Sequence, residues 1–153
     1  MNKKVDSAVF SKTEVNRDSL EPLAVSTSGE SVIHRQVTKD KVAEGFSLSR
    51  GHPVYPVKLP SKSVSFSIGE LTPNAKTSNH RHAYESLIYV LEGNGYSIVE
   101  GERLEWEAGD AFYVAPWNWH QHFANDLKVS YLTATNLPLL YSLGQTVLRQ
   151  EDK

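Results

Sequence analysis

His80-Arg81-His82-Ala83-Tyr84-Glu85-Ser86-Leu87-Ile88-Tyr89-Val90-Leu91-Glu92-Gly93-Asn94-Gly95 and Gly109-Asp110-Ala111-Phe112-Tyr113-Val114-Ala115-Pro116-Trp117-Asn118-Trp119-His120-Gln121-His122 decide the reading of this chain. Each stretch joins a His-x-His pair to a strand-like apolar run bounded by turn residues. In an extended strand, residues i and i+2 share a face, with alpha carbons roughly 7 Å apart. Two imidazoles on such a face reach one ion at about 2.0–2.1 Å. His80 and His82 therefore offer two ligands from one strand, while Arg81 points away. A third ligand must come from elsewhere, and His120 and His122 are the candidates. Those two also stand at i and i+2, so parity does not choose between them. A lone His-x-His is more often a surface feature. Two such pairs in one cysteine-free chain, each beside strand and turn signals, make a single metal site the better reading.

Outward from these stretches the period stays at two. Ser63-Val64-Ser65-Phe66-Ser67-Ile68-Gly69 alternates apolar and polar, the mark of a half-buried strand. Ser86–Leu91 is a continuous apolar run closed by a turn at Glu92–Gly95, with Tyr96–Val99 as the return strand. Glu100-Gly101-Glu102 reads as a solvated hairpin turn, followed by a strand over Arg103–Glu107. Ala108-Gly109-Asp110 turns again into a strand over Ala111–Ala115, and Lys128–Thr135 is a β-branched strand. Short strands with regular turn signals point to an all-β sandwich or barrel. Residues 31–37 are expected as an edge strand, and 38–46 as one or two helical turns capped by Thr38 or Asp40. The segment Pro138–Leu143 is expected to be helical, with Gly144 as its stop. Residues 1–45 read as an N-terminal arm, with a contact to another subunit as one use for it, and 46–153 as the barrel with its helical tail.

Composition narrows the function. The chain has 153 residues, enough for one core. It has no cysteine, so a metal must take nitrogen or oxygen ligands. Lys plus Arg is 16 against 18 for Asp plus Glu, and no basic block suggests a nucleic-acid partner. No run approaches the ~20 apolar residues of a membrane helix. The N-terminal sequence lacks the apolar core of a secretory signal, so a cytoplasmic protein is expected. Nucleotide loops and serine-hydrolase elbows are absent. His34 has no paired histidine and is expected at the surface or an interface. Trp106, Trp117, Trp119, Phe112, Tyr113 and Phe123 suit a ring-binding pocket, but barrel core and dimer interface are the plainer use for most of them.

The two motifs resemble those of the cupin superfamily: His-x-His, a carboxylate and an apolar strand ending in glycine, then Gly-Asp, an apolar strand, proline and histidine. The resemblance covers residues 60–135 and implies a conical jelly-roll β-barrel. It departs at one position. Seven residues before Gly93, where cupins carry a carboxylate ligand, stands Ser86. Glu85 is one residue off and should face the other way. A three-histidine site without carboxylate is similar to the gentisate and salicylate dioxygenase branch. That branch also has His-Arg-His and a Pro-Trp-x-Trp-His-x-His run, matched here by Pro116–His122, and a similar tail, matched by Asn136–Gly144.

Carried over residue by residue, the resemblance implies metal ligands His80, His82 and His120, and an acid–base role for His122. It places Ser86 and Ile88 in the substrate pocket. A substrate-binding arginine of that branch falls on Ile88 here, so a carboxylate on the substrate needs another partner or is absent. The branch is usually built of two barrels, and this sequence reads as one. The resemblance implies one divalent metal, Fe(II) before Zn, Ni or Cu, a ring-cleaving dioxygenase acting on a phenolic aromatic compound, and a homodimer. The alternatives are a non-oxidative cupin enzyme, such as an isomerase or decarboxylase, and a metal-containing binding protein without catalysis.

Overall fold

The period-two segments become antiparallel strands in the computed structural model, which describes residues 32–40, 47, 50–145 and 148–152. Among these residues the strands are β1 (Val54–Pro56), β2 (Ser65–Leu71), β3 (His80–His82), β4 (Ser86–Glu92), β5 (Asn94–Val99), β6 (Glu102–Glu107), β7 (Ala111–Val114), β8 (His120–Ala124), β9 (Val129–Thr135) and β10 (Arg149–Glu151). One short helix, α1 (Leu137–Ser142), follows β9, and Gly144 beyond it adopts φ +86°. One sheet has the order β1-β2-β9-β4-β7, the other β10-β3-β8-β5-β6. This is the jelly-roll architecture expected from the motifs.

Along each strand the inward side chains run from packed to hollow. On β4, Val90 and Ile88 join a core with Leu71, Trp106, Val114, Ala124, Val129 and Tyr131. Towards the start of β4, Ile88 and Ser86 line an open cavity instead. On β9, Val129 is core, Tyr131 borders both regions, and Thr133 and Thr135 line the cavity. Burying each large apolar side chain contributes roughly 1.5–3 kcal/mol. The packed end thus holds the two sheets together, while the hollow end is left for function.

Three expectations need correction. Tyr96–Val99 does not return against Ser86–Leu91: β4 lies between β9 and β7, whereas β5 lies between β8 and β6 in the other sheet. The register of β4 slips between Val90 and Glu92, and Gly93 takes φ +82°. Together they swing the chain from one sheet to the other. A Cβ on Gly93 would strike the carbonyl of Lys128, so only glycine fits this crossing. Secondly, residues 33–35 form no strand, and a 3-10 turn follows at Val37–Lys39. The Asp40 carboxylate is taken by Lys58 at 2.8 Å and His34 at 3.1 Å, and the helical turns expected over 41–46 lie outside the described residues. The rest of the arm, 1–31 and 41–45, lies outside the described residues. Thirdly, most of the aromatics split between core and outer surface. Trp106 is buried and stacks near Phe112, whereas Tyr113 and Trp117 are exposed.

The Glu100-Gly101 turn does join β5 to β6 as a hairpin. Both central residues have positive φ, +48° and +86°, which suits the twist of paired strands.

Candidate metal centre

Two short strands bring the histidines together. His80 and His82 project inward from β3, and His80 pairs in register with His120 on β8. On the outer face Arg81 stands over the rings of Trp119 and Trp117, 4.7 and 5.6 Å from their centroids. The Trp117 N–H donates to the His82 carbonyl at 2.7 Å, and Trp117 takes a left-handed φ of +63° to do so. The Trp-x-Trp run is therefore a clamp that holds β3 against the approach to β8. It fixes the His80–His120 register rather than lining the pocket.

The ring nitrogens of His80, His82 and His120 lie within 4.8 Å of one another, and all three residues are buried. Their ring centroids are separated by 4.1, 4.7 and 5.7 Å. Each Nδ1 faces a main-chain carbonyl: His80 that of Ser78 at 2.9 Å, His82 that of Tyr84 at 2.6 Å, and His120 that of Asn118 at 2.8 Å. A carbonyl only accepts, so each Nδ1 carries the proton and each Nε2 keeps its lone pair. Such locks fix the tautomer and ring orientation of a metal-binding histidine.

Burial, reinforced by the charge of His120, holds His82 down to about 3, and it holds His80 lower still; burial also lowers His120. The neutral imidazole is the form that binds metal. A nitrogen-only set of three lone pairs aimed at one region fits a divalent transition ion.

His122 has the opposite arrangement. Its Nδ1 meets Ser97 Oγ at 2.7 Å, and the Trp106 indole N–H donates to that same oxygen at 2.9 Å. Ser97 is fully buried, and its own hydroxyl proton needs an acceptor. His122 Nδ1 supplies one, which places the His122 proton on Nε2. Burial keeps this ring neutral, well below the ordinary histidine range. His122 is thus a hydrogen-bond donor at the cavity wall, and it stands outside the cluster of three. The hydrogen bonds thus distinguish His120 from His122, which parity does not.

The remaining expected residues fall as follows. Ser86 and Ile88 both line the cavity, which has a volume of about 310 Å³. Ser86 Oγ is 3.5 Å from His82 Nε2. Glu85 faces the outer surface, where its carboxylate accepts from the Tyr113 hydroxyl at 3.4 Å, and it does not approach the histidines. His34 is partly buried between Lys58 and Asp40, away from the cavity.

The sequence reading passes over four cavity residues: Arg50, His52, Tyr131 and Arg149. Arg149 sits on β10, directly opposite His82 in register. Its Nε donates to Glu151 at 2.5 Å, and its charge helps lower the pKa of His80. Nothing in the pattern of Arg149-Gln150-Glu151 signals a strand, because a short polar edge strand carries no apolar alternation.

Residues 67–134 match the Cupin domain family. The 5-aminosalicylate 1,2-dioxygenase of Comamonas sp is 32% identical over 74 residues, 48% of this chain and 20% of that protein. The gentisate 1,2-dioxygenase of Streptomyces sp is 27% identical over 95 residues, 61% of this chain and 26% of that protein. The chain thus spans about a fifth to a quarter of the length of these relatives. The crystal structure of salicylate 1,2-dioxygenase from Pseudaminobacter salicylatoxidans superposes with a TM-score of 0.64 at 17% identity, covering 99% of this chain and 50% of that one. The fold is that of the cupins.

Proposed function

We propose that this cupin barrel is a ring-cleaving dioxygenase for a phenolic aromatic compound, with iron(II) held by His80, His82 and His120. The observation that carries the reading is the contrast among four buried histidines on one cavity. Three direct bare Nε2 lone pairs to one region, and the fourth presents an N–H beside them. Iron(II) bound there would supply Lewis acidity towards a phenolate oxygen and electrons towards dioxygen.

The chain's own side chains do the rest. His122 donates its Nε2–H to an oxygen of the bound ring, and Ser97 with Trp106 holds it in that tautomer. Ser86, small and next to His82, leaves room where a carboxylate side chain would otherwise fill the site. Ile88 presents an apolar wall to the ring. The relatives are named for 5-aminosalicylate and gentisate, both aromatic carboxylates. If the substrate here carries such a group, Arg149 on β10 and Arg50, ahead of β1, line the cavity and supply positive charge from outside β4. An arginine–carboxylate pair is a strong charge-assisted contact.

An oxygen electrode tests the reading. Protein loaded with iron(II) under nitrogen is mixed with aerated gentisate, salicylate, 5-aminosalicylate, catechol or hydroquinone. Uptake with at least one phenol is expected. Silence across the set, with iron confirmed in the protein, contradicts the dioxygenase reading and favours a non-oxidative or binding role.

A homodimer is part of the same proposal. The outer face of β4 and β7 exposes Leu87, Tyr89, Leu91 and Tyr113, with Phe66 further along the same sheet. A continuous apolar face of this kind marks an association surface.

A further inference from the structure

A second polar device lines the same cavity, apart from the metal ligands. The His52 Nδ1 meets the Arg50 carbonyl at 2.8 Å, so that nitrogen carries the proton. Its Nε2 is then an acceptor, and the Tyr131 hydroxyl lies 2.7 Å from it. The Tyr131 O–H must therefore donate to His52. Burial supports this assignment from both sides: it keeps His52 neutral and raises the Tyr131 phenol, so that both groups hold these protonation states.

The backbone is built around the pair. Gly69 on β2 stands opposite Tyr131 on β9 in register, and a Cβ on Gly69 would collide with the tyrosine ring and hydroxyl. Glycine within a strand marks a close approach of this sort. The tyrosine ring lies across the bare backbone, and the His122 ring is tilted against it, 6.0 Å away between centroids.

We propose that the Tyr131–His52 pair is a specificity element: a fixed hydrogen-bond acceptor that selects ligands bearing a hydroxyl or amino donor at a second ring position. The relay from the Arg50 carbonyl through His52 commits the only proton of the Tyr131 hydroxyl, leaving its oxygen lone pairs for the cavity. A ligand substituent that donates finds a partner there. One that only accepts meets oxygen lone pairs and loses its hydration without return. The cavity is then polarised, with His122 donating and Tyr131 accepting. This inference rests on the phenolic ligand class proposed above, but it does not require turnover.

Binding measured by calorimetry under nitrogen on the metal-loaded protein tests it independently of oxygen chemistry. The probes are hydroquinone and resorcinol, each against its single-fluorine counterpart, 4-fluorophenol or 3-fluorophenol. Wild-type protein is expected to prefer the dihydroxy member of at least one pair by about threefold to tenfold, the range of one neutral hydrogen bond. Tyr131→Phe should bring that ratio close to one with metal content unchanged. His52→Leu provides the second arm, because it frees the Tyr131 proton. In that variant 4-hydroxyacetophenone, whose carbonyl only accepts, should tighten relative to 4-fluorophenol. A wild-type ratio near one in both pairs overturns the proposal. So does a preference that survives Tyr131→Phe, or no gain for the acetyl probe in His52→Leu. An oxygen-electrode failure with the donor preference intact would sink the dioxygenase reading alone.

Discussion

At the scale of single residues, the tautomer of each histidine separates the three proposed ligands from the proposed donor, His122. His120 and His122 are two residues apart, both buried and both inward, so strand parity does not rank them and only the family resemblance does. Their Nδ1 partners differ, the nearby Asn118 carbonyl for His120 and the Ser97 hydroxyl, 25 positions away, for His122. His120→Ala is expected to lower metal content at least tenfold by elemental analysis. His122→Ala should keep most of the metal and lose turnover. Equal metal loss in the two variants contradicts the assignment. Ser97→Ala should weaken turnover in the same direction as His122→Ala, because the tautomer lock is gone while the ring stays.

The buried imidazoles also set a pH dependence. His82 has an ordinary pKa of 6.5 and is held to about 3 in the fold, by burial first and the nearby His120 charge second. Between those values the unfolded chain binds more protons than the folded one, so stability rises with pH through this window. The metal-free protein should show its full melting temperature above about pH 7 and lose it progressively towards about pH 3. A flat profile across that range, read by circular dichroism, would mean that the rings are hydrated rather than buried.

At the scale of strands, much was legible because one-sided burial imprints a period of two. β2, β4, β6, β7 and β9 all lie within a residue or two of where alternation and turn residues put them. What failed was pairing. Gly93 reads locally as a hairpin turn, but it is a crossing between sheets, and its cause is the Lys128 carbonyl, 35 positions along the chain. The short strands β1 and β10 were not legible either. Three residues give no period, and β10 is entirely polar.

Gly95 makes the same point about close approach. It pairs with Trp106 on one side and Ala124 on the other, and a Cβ there would run into the Phe123 carbonyl and the Trp106 ring. Gly95→Ala should destabilise the protein by roughly 1–3 kcal/mol, the usual range for overpacking, in urea unfolding. The Trp106–Ser97–His122 chain runs through that same contact. Loss of turnover beyond the loss of folded protein is therefore expected.

At the scale of the whole molecule, the two sheets divide the labour. The three histidines of the cluster come from β3 and β8 of one sheet, together with His122 on β8. The other sheet contributes Ser86, Ile88 and Tyr131, the walls that face a ligand. The histidine cluster was legible in the sequence as two His-x-His pairs, and Ser86 and Ile88 through the family resemblance. His52, Tyr131 and Arg149 were not, because they meet only across the cavity. The apolar outer face of β4 and β7 belongs to this scale as well. Leu87→Glu combined with Tyr89→Glu should convert the proposed dimer to a monomer by light scattering with the metal retained; an unchanged mass would place the interface elsewhere.

A ring-cleaving dioxygenase, as proposed for this cavity, places both atoms of dioxygen in its ring-opened product. Mass spectrometry of the product formed under isotopically heavy dioxygen, from iron-loaded protein and whichever phenol drives oxygen uptake, addresses it directly. The expected product is a ring-opened acid that carries two heavy oxygen atoms, and no such product is expected from His120→Ala. An intact ring, or a product whose added oxygen comes from water, would contradict it.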